Sequence, residues 1–166
     1  MPQIHQGQWT AQGKRFAILA SRFNEFVADK LIGGAVDALT KTGARDEDIE
    51  IFRCPGAFEL TGLARRVADS GQFDALICLG VVIRGATPHF DVVVGQTSRG
   101  IAQIAAEAKL AIGFGVLTCD TIEQAVERAG TKGGNRGADA TMAAIEMANL
   151  YDKLAERSGS AKTRAK

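Results

Sequence analysis

The chain has 166 residues, 46% of them hydrophobic and 23% charged, with a formal net charge of +1. That length and balance fit one globular domain and exclude a disordered or fibrous chain. A net charge so near zero gives no basis for general binding to nucleic acid or other polyanions, and no apolar run approaches the ~20 residues needed to span a bilayer.

Residues 1–14, MPQIHQGQWTAQGK, show little periodicity and read as an N-terminal arm that docks elsewhere, for instance on a neighbouring subunit. Arg15–Ala20 is a short apolar run that suits a buried strand. From Glu25 to Thr42 the apolar residues Val27, Leu31, Ala35 and Leu39 fall on one helical stripe, and Gly43 suits the helix end. Asp48–Arg53 alternates as a strand. A Pro-Gly turn then opens a helix that ends near Gly71. Asp74–Val82 is a continuous apolar strand. A helix is predicted over Asp91–Leu110, although its DVVVG opening forms helix poorly. Ile112–Cys119 is the fourth strand. Thr121 with Gln124 spells a capping box for a short helix to about Ala129. A Gly-rich break precedes a long amphipathic helix over Ala138–Arg157, with Ala140, Ala144, Met147, Tyr151 and Leu154 on one stripe. The basic, acid-free tail Ser158–Lys166 reads as disordered. Residues 1–157 then form a single domain.

Strand and helix alternate throughout, and strands buried on both faces read as near-continuous apolar runs. The expectation is an α/β protein: a three-layer α/β/α sandwich around a four-stranded parallel sheet. Cys54, Cys78 and Cys119 lie in or just past apolar strands with no short Cys spacing, which reads as buried free thiols of a reducing, cytoplasmic compartment. The same spacing gives no metal site, and no amino-terminal signal segment is read.

In open parallel sheets, ligands bind beyond the carboxyl ends of the strands. The segments following the four strands are SRFNE, CPGAFE, IRGATPHF and CDT. They bring Ser21, Arg22, Asn24, Glu59, Arg84, Thr87 and His89 to one edge, with Phe23 and Phe58 as flat apolar surfaces. Each has a plainer alternative. Phe23 and Phe58 fit a core as readily as a clamp for a flat heterocycle. Asn24 fits a helix cap, and Glu59 a first-turn carboxylate favoured by the helix dipole. His89 fits a surface loop, but an imidazole at a strand end also suits proton transfer near neutral pH. Gly80 and Gly85 have the glycine spacing of a triphosphate loop, yet Ala86 stands where its lysine must be. What remains suits a single phosphate: Gly85, Ala86 and Thr87 leave backbone N–H groups accessible just before a helix. Arg128, Lys132 and Arg136 surround a second Gly-rich segment, either a solvated connector or an anion clamp.

The segments ASRFNE, CPGAFEL, GVVIRGATPHFD, FGVLTCDT, ERAGTKGGNRG and AIEMANL, in order from Ala20 to Leu150, resemble the lumazine synthases. IRGATPHF with RAGTK downstream is the most specific part. The resemblance implies a flavodoxin-like fold and a riboflavin-pathway condensation. In it, 5-amino-6-ribitylaminouracil joins 3,4-dihydroxy-2-butanone 4-phosphate to give 6,7-dimethyl-8-ribityllumazine, phosphate and water. It implies no metal or organic cofactor. It places Phe23 on the pyrimidine ring, with Asn24, Ala57, Phe58 and Glu59 holding the ring and ribityl chain. Val81, Val82 and Ile83 read the ring through their backbone, and Gly85, Ala86 and Thr87 cradle the phosphate. His89 moves protons. Phe114, Arg128 and Arg136 come from the adjacent subunit, Arg128 facing the phosphate. Relatives often carry Trp at the place of Phe58 and Lys at that of Arg136. The resemblance further implies a homo-oligomer of pentameric rings, with riboflavin synthase as a candidate partner. The short GTKGGNRG connector points to closure of twelve rings into a sixty-subunit icosahedral shell. Two rivals remain at this point: a shell-forming paralogue that binds flavin or lumazine with weak catalysis, and a flavodoxin-like electron carrier.

Overall fold

The structure, a computed structural model, describes residues 1–164. Its core is a parallel sheet of β1 (Phe16–Ser21), β2 (Ile49–Cys54), β3 (Ala75–Ile83) and β4 (Ala111–Cys119), in the order β2-β1-β3-β4. Helices α1 (Glu25–Lys41) and α5 (Arg136–Arg164) cover one face, and α2 (Ala57–Asp69) and α3 (His89–Glu107) the other. Side chains alternate between the two. Phe16 and Ile18 of β1 join Leu31, Ile77, Leu79 and Ile145 on the first face. Ala17 and Leu19 join Leu60, Leu76, Cys78 and Ile101 on the second. Two buried faces are why these strands carry unbroken apolar runs. The fold is flavodoxin-like and three-layered, as the alternation of elements predicts.

Packing between β4 and α5 is close. A Cβ at Gly113 would stand 2.2 Å from the Ala140 carbonyl oxygen, so only glycine admits the helix there. The buried positions of α5 are Ala140, Thr141, Ala144, Ile145 and Ala148. The predicted stripe is right at its first two members. It drifts after them: Met147 and Leu154 are exposed and Tyr151 is half-buried, while Ile145 and Ala148 take the buried face. The arm runs along α5 of its own chain. Trp9 Nε1 donates to Glu146 Oε2 at 3.0 Å, Asn149 Nδ2 to the carbonyls of Gln8 and Thr10, and Lys153 Nζ to that of Gln6.

Three further boundaries differ from expectation. Helix α3 begins at His89, two residues early, which makes His89 the first helical residue rather than a loop residue. The Gly-rich break is a small antiparallel hairpin of β5 (Ala129–Thr131) and β6 (Gly134–Asn135) behind α4 (Ile122–Glu127). Asn135 then anchors α5: its Oδ1 accepts from the N–H groups of Gly137 and Ala138, and its Nδ2 donates to Lys30 O at 2.8 Å. Helix α5 also continues to Arg164 instead of ending at Arg157, since extending an established helix adds a hydrogen bond with each residue. The last two residues of the predicted disordered tail, Ala165 and Lys166, lie outside the described residues. All three cysteines are free and buried, and full burial pushes the Cys78 thiol up to about 12. Among the described residues no helix is long and apolar enough to cross a membrane.

Candidate active site

The strand order reverses direction between β1 and β3: from β1 the chain moves towards β2, and from β3 towards β4. Such a reversal opens a crevice at the carboxyl ends of the two strands. A cleft of about 550 Å³ lies there, within the usual range for a small-molecule site. Phe23, Asn24, Ala57, Phe58, Glu59, Val81, Val82, Ile83, Gly85, Thr87 and His89 all line it. These come from the end of β3, the loops after β1 and β3, and the starts of α2 and α3.

Hydrogen bonds between loops shape the floor. The N–H groups of Arg22 and Phe23 donate to the carbonyls of Cys54 and Pro55 at 2.8 and 3.0 Å. The β1–β2 pairing thus continues past the strands and presents the Phe23 side chain. Asn24 follows in a left-handed conformation at φ 59°, a region that costs most residues about 1–2 kcal/mol and that Asn tolerates. Its side chain does not cap α1. Nδ2 donates instead to Val81 O at 3.0 Å, tying the β1 turn to the end of β3. The helix-cap alternative for Asn24 is therefore replaced by a contact between strand ends.

Phe23 is 71% exposed and Phe58 is 59% exposed. Burying such a ring contributes about 1.5–3 kcal/mol, and both rings forgo most of it at the cleft mouth. That rules out the core reading and leaves two flat surfaces free for a planar ligand. Glu59 sits in the first turn of α2. Its carboxylate turns back towards the helix start: a Cβ on Gly56 would lie 3.1 Å from Glu59 Oε2. It raises the Cys54 thiol pKa, although burial is the larger cause. Gly85 and Thr87 stand ahead of α3, whose first N–H groups have no intrahelical partner, and His89 is exposed at that helix start. An anion near Thr87 would meet a hydroxyl, backbone N–H groups and the positive end of a helix dipole.

Of the residues that the family resemblance assigns to the site, four are not in the cleft. Ala86 is exposed in the loop but lines no part of it. Phe114 is 46% exposed on β4. Arg128 donates to Gln124 O at 3.1 Å, and Arg136 pairs with Asp139 at 2.7 Å. Conversely, Gly56, Phe90, Val92 and Val93 line the cleft without having been predicted. Starting α3 at Asp91 hid the last three. A start at His89 puts residues 89, 90, 92 and 93 within one helical turn.

The fold and the cleft define a class: flavodoxin-like α/β proteins with a small-molecule-sized cleft at the sheet's switch point. The 6,7-dimethyl-8-ribityllumazine synthase family model matches residues 13–152. The 6,7-dimethyl-8-ribityllumazine synthase of Desulfatibacillum aliphaticivorans is 56% identical over 154 residues, 93% of this chain and 99% of that protein. The Desulfotalea psychrophila protein of that name is likewise 56% identical. The Chlorobaculum parvum protein is 54% identical over 149 residues. This chain belongs to the 6,7-dimethyl-8-ribityllumazine synthase family.

Proposed function

We propose that this chain is a transferase that condenses 5-amino-6-(D-ribitylamino)uracil with 3,4-dihydroxy-2-butanone 4-phosphate, forming 6,7-dimethyl-8-ribityllumazine, phosphate and water in riboflavin biosynthesis. The cleft carries the reading, because it sets two exposed phenylalanines beside a bare strand end and a phosphate-sized loop with His89 at its lip. Phe23 stacks on the pyrimidine. Val81–Ile83 hydrogen-bond its edge, and Asn24, Ala57, Phe58 and Glu59 hold the ring and ribityl chain. The primary amine attacks the ketone and the imine forms with loss of water. Removal of a proton then drives the phosphate out, and the ribityl-bearing nitrogen closes the ring onto the remaining carbonyl with loss of a second water. His89 carries protons between these steps. Gly85, Ala86 and Thr87 hold the departing phosphate, whose growing charge favours N–H donors and a cation. Much of the acceleration comes from holding two mutually reactive molecules together.

The cation is Arg128 of a neighbouring copy, which also supplies Phe114 and Arg136. Supporting this, the three lie outside their own chain's cleft, so a site that uses them needs a second copy. A pentameric ring meets that need, and the short connector favours closure of rings into an icosahedral shell in the cytoplasm, with riboflavin synthase as partner. Mixing the protein with both substrates and following lumazine absorbance and phosphate release tests the reaction. Absence of both refutes it. Light scattering tests the shell, and a species near five subunits in mass refutes it.

A further inference from the structure

Arg84 has no role in the reaction as set out above, yet three elements converge on it. Its backbone N–H donates to Cys119 O at the end of β4, at 2.9 Å. Its Nε donates to Asp120 Oδ1 at 2.8 Å. Its Nη1 lies 3.4 Å from both carboxylate oxygens of Asp91 in the first turn of α3, and the guanidinium carbon stands 4.2 Å from the centre of the Phe90 ring. Between Arg84 and Phe90 run Gly85, Ala86, Thr87, Pro88 and His89, all of them exposed. The helix start has no side-chain cap: Pro88 occupies the cap position, and its backbone carbonyl accepts from the Asp91 and Val92 N–H groups at 3.0 and 3.3 Å. The segment that presents the phosphate loop and His89 is therefore strapped from its flanks, through one side chain.

We propose that Arg84 is a positioning residue that bridges Asp120 and the Phe90–Asp91 turn. It thereby fixes where the Gly85–Thr87 amides and the His89 ring stand relative to Val81–Ile83. The proposal rests on the condensation reading of the same cleft. A guanidinium suits the task better than an ammonium. Its planar fork reaches two carboxylates while its flat face covers the ring. Because its donors face carboxylates of its own chain, Arg84 acts on substrate through the loop, not by touching the phosphate.

The test uses the assembled full-length chain with Arg84→Gln, Arg84→Lys, Asp120→Asn and the Arg84→Gln/Asp120→Asn double variant. Hydrogen exchange read by mass spectrometry at residues 84–92 should quicken about tenfold in Arg84→Gln, while β1 and α1 keep their protection. The value of kcat/KM for the butanone phosphate should fall about 100-fold, as a misplacement near 1 Å allows, with KM for the pyrimidine held within about twofold. Arg84→Lys should recover part of the loss. Asp120→Asn should loosen the same segment, and should add nothing to Arg84→Gln in the double variant. Unchanged exchange at 84–92 in Arg84→Gln overturns the proposal whatever the activity. So does an Asp120→Asn protein with normal loop and turnover beside a dead Arg84→Gln, which would mean that Arg84 touches the phosphate. If Arg84→Gln does not fold, Asp120→Asn alone decides by its exchange. If the unsubstituted chain forms no lumazine, the condensation reading fails and the exchange experiment still judges the strap.

Discussion

At the amino ends of the strands a cavity of about 470 Å³ is lined by Arg65, Asp74, Glu107 and Tyr151 among others. At the carboxyl ends lies the 550 Å³ cleft. The volumes are close, but the chemistry differs. At the amino edge the charges meet one another. Arg65 Nη2 lies 2.5 Å from Glu107 Oε2, Asp74 accepts from the Arg15 N–H at 2.7 Å, and Asp152 pairs with Lys14. At the carboxyl edge, among the described residues, neither Glu59 nor His89 has an ion-pair partner, and two phenylalanine rings stand open. Volume does not distinguish a working site from a gap under helix ends. Polar groups left without partners, beside uncovered apolar faces, do.

The comparison breaks if substitutions at the two edges have similar effects. The largest effect is expected from Arg128→Ala. Removing a cation that faces a leaving phosphate should lower kcat/KM by about 1,000-fold, at the upper end of what one electrostatic stabiliser supplies. Thermal stability should hardly change, because the half-exposed side chain makes one hydrogen bond, to Gln124 O at 3.1 Å, and one long ion pair, 3.8 Å to Glu127, and such surface contacts contribute little. Steady-state rates with the butanone phosphate varied would decide, and a fully active variant would sink the phosphate assignment. His89→Ala should do less, about 100-fold in kcat, at the lower end for general acid–base groups. Amine and ketone condense without exotic chemistry, so turnover should slow and not vanish. A His89→Ala protein as crippled as Arg128→Ala would make proton transfer, rather than phosphate departure, the harder step.

Most of this contrast was legible in the sequence, and for a physical reason. Parallel strands must be apolar on both faces, so β1 and β3 announce themselves, and the residues after them must sit at the ligand edge. Asn24, Glu59, Thr87 and His89 followed from that alone. Other features depend on contacts between distant segments, which no local pattern records. The exposure of Phe23 and Phe58 is one case, since an apolar residue after a strand suits core or clamp equally. The start of α3 is another. DVVVG is a poor helix former, and its first turn is braced by Arg84, which also reaches Asp120 just past β4. The β5–β6 hairpin read as loose connector because its glycines hid the order imposed by Asn135, whose donor meets Lys30 O, 105 positions away in the chain.

The smallest expected effect lies at the amino edge and completes the test. Arg65→Ala should leave kcat/KM unchanged and lower Tm slightly, because both partners of its pair with Glu107 are more than a third exposed and solvent screens them. The pH dependence separates charge from packing. A hydrogen bond from Gln103, then one from Arg65, holds the Glu107 carboxyl below the usual glutamate range. A group depressed in the folded state contributes stability that is full above its unfolded pKa and fades as pH falls through the folded one. The Tm gap between the unsubstituted chain and Arg65→Ala should therefore be present at neutral pH and should close as Glu107 protonates in acid. Thermal melts across that range measure it. A gap that persists in acid would assign the loss to packing of the aliphatic stem of Arg65. A fall in turnover would be more damaging, because it would carry the chemistry across the sheet to an edge whose charges already meet one another.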